Sequence, residues 1–287
     1  MTTTFPPFPP PPTDAPPGGR PPAAPEPQPP RQRKLWHRVV ALIATLGAVV
    51  VVAWGCLSLV DIAARTTTRT SRTVPATSTL RLELDGGSAV TIIGEERTDI
   101  RVDRKVRKGL RDVEARERVE GDTLVLESNC PILLGTLCRV DYALRVPTGT
   151  DVVGSTAGGH MRMIGLGRID VSSGGGGIDL ERVTGSVDVR TGGGSIDGRG
   201  LRSARLHARS GGGSIDVRFA IPPDAVDVAT GGGNVDVVVP DEAPPFQVDI
   251  RTGGGGTSIE IPTDPSAPRT IKGRSGGGSI EVRHPEP

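Results

Sequence analysis

The sequence predicts an all-β exterior, a parallel β-solenoid of glycine-cornered rungs of about 20 residues, behind one transmembrane α-helix and a disordered tail. Three observations predict it. A short phrase recurs six times: SGGGGID (Ser173 to Asp179), TGGGSID (Thr191 to Asp197), SGGGSID (Ser210 to Asp216), TGGGNVD (Thr230 to Asp236), TGGGGTSIE (Thr252 to Glu260) and SGGGSIE (Ser275 to Glu281). Around each copy apolar and polar residues alternate. Between Val39 and Val60 lie 22 residues without a charge.

Residues 1 to 34 open the chain with a proline-rich segment, 14 of the 27 prolines falling in the first 30 positions. Such a composition builds no core and predicts a disordered, partly polyproline-II tail. Its alternatives are a bare solvated tail or a docking strip through steps such as Pro6 to Pro9. The uncharged run then predicts a transmembrane helix over 35 to 62, since 22 residues at 1.5 Å each give about 33 Å against a hydrocarbon layer of roughly 30 Å. Trp36 and Trp54 sit near its ends, where interfacial anchors belong. A cleaved signal fits less well, because the run starts late and no small-x-small site follows. Ala53-Trp54-Gly55-Cys56 is a poor lipoprotein processing site because of the bulky Trp54.

Residues 63 to 78, rich in Thr, Arg and Ser, read as a linker. From 79 to 150 strands alternate without the phrase, as in Leu80/Leu82/Leu84, Val90/Ile92 and Val140/Tyr142/Leu144/Val146. This region is expected to be an N-terminal cap and the first coils, with Arg101 to Arg118 a solvated strand pair or loop. From 151 to 287 the repeats take over. Val187/Val189, Leu206/Ala208, Val226/Val228 and Val248/Ile250 precede the glycines with period two, and Ile178/Leu180, Ile215/Val217, Val235/Val237/Val239, Ile259/Ile261 and Ile280/Val282 follow them. The Ser or Thr that opens each phrase keeps the inward parity. Glycine at the corner is expected for positive φ and because stacked corners leave no room for a Cβ.

Alternation places Asp179, Asp197, Asp216, Asp236, Glu260 and Glu281 in one outward column, with Arg190, Arg209, Arg251 and Arg274 in a second column one strand away as neutralisers. Calcium is the sharpest ligand for Asp179, Asp197, Asp216 and Asp236, because GGGGID matches the start of a calcium-binding nonapeptide. The other copies break that match and the period is not nine. Catalysis finds little support: there is no GxSxG elbow turning a strand into a helix, the letters Gly273-Arg274-Ser275-Gly276-Gly277 belonging to a glycine corner, there is no HExxH and no phosphate loop, and His37, His160, His207 and His284 are scattered. Neither catalytic residues nor a cofactor are expected, although a polysaccharide-acting site on an outer face is an alternative. A net charge of +1 and an aromatic content of 2% give no reason to expect nucleic acid.

Arg31, Arg33, Lys34 and Arg38 precede the run and Arg65, Arg69 and Arg72 follow it, a difference of one. Because the rule counts short loops more than long translocated domains, the short N-terminal tail is expected in the cytoplasm and the C-terminal domain outside. Cys130 and Cys138 then suit a disulfide in an oxidising compartment, the alternative being two free thiols.

From Ser78 onward the chain resembles a bacterial family of unknown function described as a putative adhesin domain. The likeness rests on Cys130 and Cys138, the strand Arg139 to Pro147, and the serial Ser/Thr-Gly-Gly-Gly-Ser-Ile-Asp phrases. The resemblance implies a parallel β-solenoid behind a single membrane span or beside envelope-stress membrane proteins, with no agreed activity and no catalytic residues to carry over. The expected function is an adhesin-like binding or scaffold surface for wall polymer or an envelope protein. An accessory role in envelope-stress sensing through the tail is the alternative. Because Pro285 and Pro287 follow the last strand, the exterior is expected to be monomeric.

Overall fold

The computed structural model describes residues 31–63, 66–108, 114–129 and 139–286. Helix α1 runs Arg31–Ala63, slightly longer at both ends than expected. Its stretch Trp36–Gly55 is long and apolar enough to cross a membrane, and Leu42, Ile43, Leu46 and Val51 on it are exposed.

Among the described residues, everything after the helix is strand, turn or connecting coil. The early strands are β1 (Thr66–Pro75), β2 (Thr79–Leu84), β3 (Val90–Glu95), β4 (Asp99–Lys108), β5 (Glu114–Glu120), β6 (Thr123–Asn129) and β7 (Arg139–Pro147). The middle strands are β8 (Asp151–Thr156), β9 (Met161–Ile164), β10 (Ile169–Ser173), β11 (Ile178–Glu181), β12 (Val187–Thr191), β13 (Ile196–Leu201), β14 (Arg205–Ser210) and β15 (Ile215–Phe219). The last are β16 (Ala225–Thr230), β17 (Val235–Val238), β18 (Gln247–Thr252), β19 (Thr257–Ile259), β20 (Thr270–Ser275) and β21 (Ile280–Arg283). They form two sheets. Sheet A has the order β1-β4-β7-β3-β9-β11-β13-β15-β17-β21-β19, and sheet B the order β18-β20-β16-β14-β12-β10-β8-β2-β6-β5.

Each repeat gives one strand to each sheet, with the glycine corner carrying the chain from sheet B to sheet A. Parallel pairing then stacks equivalent residues: Ile178 on Ile196, Ile215, Val235 and Ile280 in sheet A, and Val187 on Leu206, Val226 and Ile271 in sheet B. The inward residues of both sheets merge into one apolar cluster. Burying a side chain of this size contributes about 1.5–3 kcal/mol, which a single unit alone could not collect.

The corners are held by hydroxyls. Thr191 Oγ1 accepts from Gly194 N–H of its own corner at 3.2 Å and donates to Gly176 O of the preceding corner at 2.8 Å. Ser210, Thr230 and Ser275 repeat the bridge, donating to Gly194, Gly213 and Gly233. The inward parity read for these residues is observed, and the hydroxyl also satisfies a backbone donor and acceptor that the core would otherwise leave unpaired. The glycines themselves correct one expectation. None of the phrase glycines has positive φ; such angles occur at Gly86, Gly121, Gly149, Gly154, Gly165 and Gly200. Close approach is the constraint instead, since a Cβ on Gly194 would lie 2.3 Å from Gly176 O, whereas one on Gly193 would meet nothing within 4 Å.

Both ends invert the order of the chain. The stretch expected as a linker forms β1, paired antiparallel to β4. The charged stretch expected as a strand pair is divided between sheets, β4 joining β7 and β5 joining β6. At the far end β20 and β21 insert between earlier strands and the β18/β19 pair, so the C-terminal strand is interior and β18 and β19 form the edge. Pro285 and Pro287 therefore follow an interior strand and do not blunt an edge. Burial explains the order: Ile271, Ile280 and Val282 are fully enclosed, while Val248 and Ile250 of the edge unit are only partly covered.

Candidate functional site

Sheet A presents the carboxylate column. The register stacks Asp179, Asp197, Asp216, Asp236 and Glu281, about 4.8 Å apart as parallel strands require. Glu260 is not among them. Ser258 lies opposite Glu281, because strands count residues from the corner hydroxyl and the extra Gly256-Thr257 pushes the acid two places on. Ile259 is correspondingly displaced and stands exposed at the edge.

The neutralising cations also differ from expectation. Arg190, Arg209, Arg251 and Arg274 precede their corners and so lie on sheet B, where Arg190 pairs with Asp188 at 2.8 Å and Arg251 with Asp249 at 3.1 Å. The column's partners come from its own sheet: His160 to Asp179 at 3.0 Å, Arg218 to Asp216 at 3.4 Å, and Arg283 to Asp236 at 2.9 Å and Glu281 at 3.2 Å. Asp197 sits in the middle. Burial pushes its carboxyl above the usual carboxylate value, Asp179 and Asp216 add to that, and Arg199 and His160 oppose it. Among the described residues no group of three or more His, Cys, Asp or Glu is placed to hold a metal ion.

On sheet B a column of mixed sign runs Asp170, Asp188, His207, Asp227, Lys272 and Asp249. His207 Nδ1 lies 3.4 Å from Asp227. His160, just ahead of β9 in sheet A, and His207 on β14 in sheet B are not brought together, and His284 follows the C-terminal strand beside Asp241. Cys130 and Cys138 lie outside the described residues, as does the proline-rich segment 1–30.

A concavity lies at the non-repeating end. A groove of about 690 Å³ crosses the outer face of sheet B, floored by Arg81 and Glu83 of β2 and Ser155 of β8 and walled by Glu114 and Arg116 of β5, with Glu127 and Asp170 at its margins. Gly154 lets the floor lie close, since a Cβ there would stand 2.1 Å from Leu82 O. The internal ion pairs, Arg81 to Glu83 at 3.9 Å and Arg116 to Glu114 at 3.1 Å, are half exposed, a setting in which such pairs contribute little and open readily to a ligand. Five carboxylates and two guanidiniums line it.

Beneath the same end lies a buried polar cluster. Arg104 reaches from sheet A to sheet B, pairing with Glu117 at 3.1 Å and donating to Ala115 O at 3.1 Å. Tyr142 stands opposite Arg104 in the register. Burial pushes its phenol up to about 12, with the Arg104 charge pulling the other way.

Sequence reasoning missed the groove because β5 enters sheet B as a local hairpin with β6 through the turn Gly121-Asp122, outside any copy of the phrase. A usable signal did exist. Thr156-Ala157-Gly158-Gly159-His160 is a degenerate corner stacked before Ser173, and a Cβ on Gly174 would stand 2.1 Å from Ala157 O.

No family model matches the chain, and no curated protein matches it. Solved structures do match. A "putative adhesin" from Bacteroides fragilis shares 16% identity over 76% of this chain and 97% of its own, with a TM-score of 0.43. A "putative cell adhesion protein" from Clostridium sporogenes shares 14% over 77% of this chain and 100% of its own, at 0.37. A "putative lipid binding protein" from Parabacteroides distasonis shares 12% over 76% and 96%, at 0.42. The adhesin descriptions agree with the family that the sequence resembles.

Proposed function

We propose that the chain is a single-pass membrane protein that holds a β-solenoid outside the cell as an adhesin-like binding surface, with its N-terminus in the cytoplasm. The observation that carries this is the groove on β2, β5, β6 and β8. It lies where the outward face departs from the repeat, it is concave, and it gathers hydrogen-bonding charges of both signs. Carboxylates accept from hydroxyls and ammonium groups, and guanidiniums donate in a planar fork. That combination suits a wall polymer bearing hydroxyls and amines.

The repeated columns support the same reading from the other side. Their acids recur in every unit except that of β18 and β19, and Asp179, Asp216, Asp236 and Glu281 are paired by His160, Arg218 and Arg283, as a solubilising surface would be. In this reading α1 is the span, the two sheets are the faces of one coil, and Cys130 and Cys138 close a disulfide. The test is co-sedimentation of the full chain, in detergent, with purified wall polymer. Binding that weakens about tenfold in Arg116→Glu is expected, and a chain that stays in the supernatant at every polymer concentration sinks the proposal.

A further inference from the structure

The outward face of β1, β4 and β7 carries a charge arrangement that the fold alone does not explain. The register sets Arg69 opposite Lys105, Arg107 opposite Arg139, and Arg101 opposite Arg145. Like charges directly opposed across strands repel and destabilise the sheet. Three such pairs in one short face are a cost unless an anion lies over them.

Neighbouring acids answer only part of the charge. Arg139 pairs with Asp141 at 2.7 Å, Arg101 with Asp103 at 3.2 Å, and Arg145 with Glu95 at 3.8 Å. Among the described residues Arg69, Lys105 and Arg107 form no ion pair, although Lys105 stands opposite Asp141 in the register, an acid that already pairs with Arg139. Arg69 and Lys105 also line a shallow pocket of about 480 Å³ with Ser71, Asp103 and Asp141; Ser71 donates to Asp103 and Asp141 answers Arg139, so Arg69 and Lys105 are its basic groups without an ion pair among the described residues.

Position in the chain selects the anion. Strand β1 begins at Thr66, three residues after α1 ends at Ala63, so the reach between them is at most about 10 Å. If α1 crosses the bilayer, as proposed above, this face starts at the lipid headgroups. We infer that the outer face of β1, β4 and β7 is an interaction surface for anionic phospholipid headgroups, contacted by Arg69, Lys105 and Arg107. Each basic residue at an anionic surface strengthens the association roughly fivefold. The inference rests on the membrane reading of α1 and adds a second contact with the bilayer.

The chain carries its own reporter, because Lys105 and Lys272 are two of only four lysines and Lys272 stands exposed on sheet B. The full chain is reconstituted into phosphatidylcholine vesicles, or the same vesicles with phosphatidylglycerol, and labelled with an amine-reactive reagent. The expected result is that labelling of Lys105 relative to Lys272 falls at least fivefold with phosphatidylglycerol. High salt should restore it, as the screening length drops to about 3 Å at 1 M. The variant Arg69→Glu/Arg107→Glu, with melting checked against the parent, should lose the lipid dependence.

Equal Lys105 labelling in both vesicles overturns the inference, and so does equal protection by inorganic phosphate added to phosphatidylcholine vesicles. Flotation separates this from the span. A chain that fails to float with phosphatidylcholine vesicles removes the membrane reading of α1, whereas one that floats with both and labels equally removes only the headgroup surface.

Discussion

The repeating strands β8 to β17 and the end formed by β1 to β7 are built on opposite rules. In the repeat, parallel register lays each residue on its equivalent, Asp179 on Asp197 on Asp216 on Asp236. At the end, antiparallel strands β1, β4 and β5 set unlike sequences side by side. Regular stacking can copy a surface but cannot concentrate different groups at one point. The groove, the Arg104–Glu117 bridge and the opposed arginines all belong to the end, which is why the binding chemistry is assigned there.

Variants can break that contrast, beginning with the largest effect. Glu117 is almost fully enclosed, its side chain 8% exposed, so Glu117→Ala leaves the Arg104 charge facing Tyr142 without its partner. A loss of about 3 kcal/mol is expected in chemical denaturation. A change near zero would mean that the end is held by something other than this bridge.

Next come the corners. Gly194→Ala should cost roughly 2–3 kcal/mol, because its Cβ would lie 2.3 Å from Gly176 O, whereas Gly193→Ala has open space and should be neutral or slightly stabilising. Equal effects at the two positions would contradict the close-approach account. Thr191→Val removes the hydroxyl between Gly194 N–H and Gly176 O and should cost about 1–3 kcal/mol, while Thr191→Ser keeps both bonds and most of the stability. Thermal melts of the pair would show it.

The smallest effect concerns pH. The Asp197 carboxyl titrates above its ordinary value of 3.8 in the folded chain, so the folded state holds the proton more tightly than the unfolded one. Stability contributed by that proton is present near and below 3.8 and is lost as pH rises through the raised value. Asp197→Asn should therefore raise the melting temperature at pH 7 by on the order of 1 °C, and this advantage should fade as the pH falls towards 4. An advantage that grows on acidification would reverse the sign.

How much of this was legible depended on the same contrast. The phrase, the inward Ile and Val residues and the apolar helix could be read because each is a local pattern with a fixed period. The strand order at both ends could not, since β1 is placed by partners 24 to 42 residues away and β5 by partners 3 to 15 residues away, with no repeat to mark either. The cations of the carboxylate column were assigned to the wrong sheet for a related reason. Neighbours in sequence across a glycine corner, such as Arg190 and Asp197, are separated by the corner's change of sheet, so Arg218 and His160 are the groups that serve.

The central claim is that binding belongs to the irregular end, and one paired measurement tests it most directly. Full-length chains carrying Arg81→Glu/Arg116→Glu in the groove, or Arg209→Glu/Arg274→Glu on the repeat face, are compared with the parent for binding to isolated cell envelopes at matched thermal stability. The account predicts at least tenfold weaker binding for the groove variant and less than twofold for the repeat variant, tenfold corresponding to about 1.4 kcal/mol. Equal losses, or a larger loss from the repeat face, would contradict it.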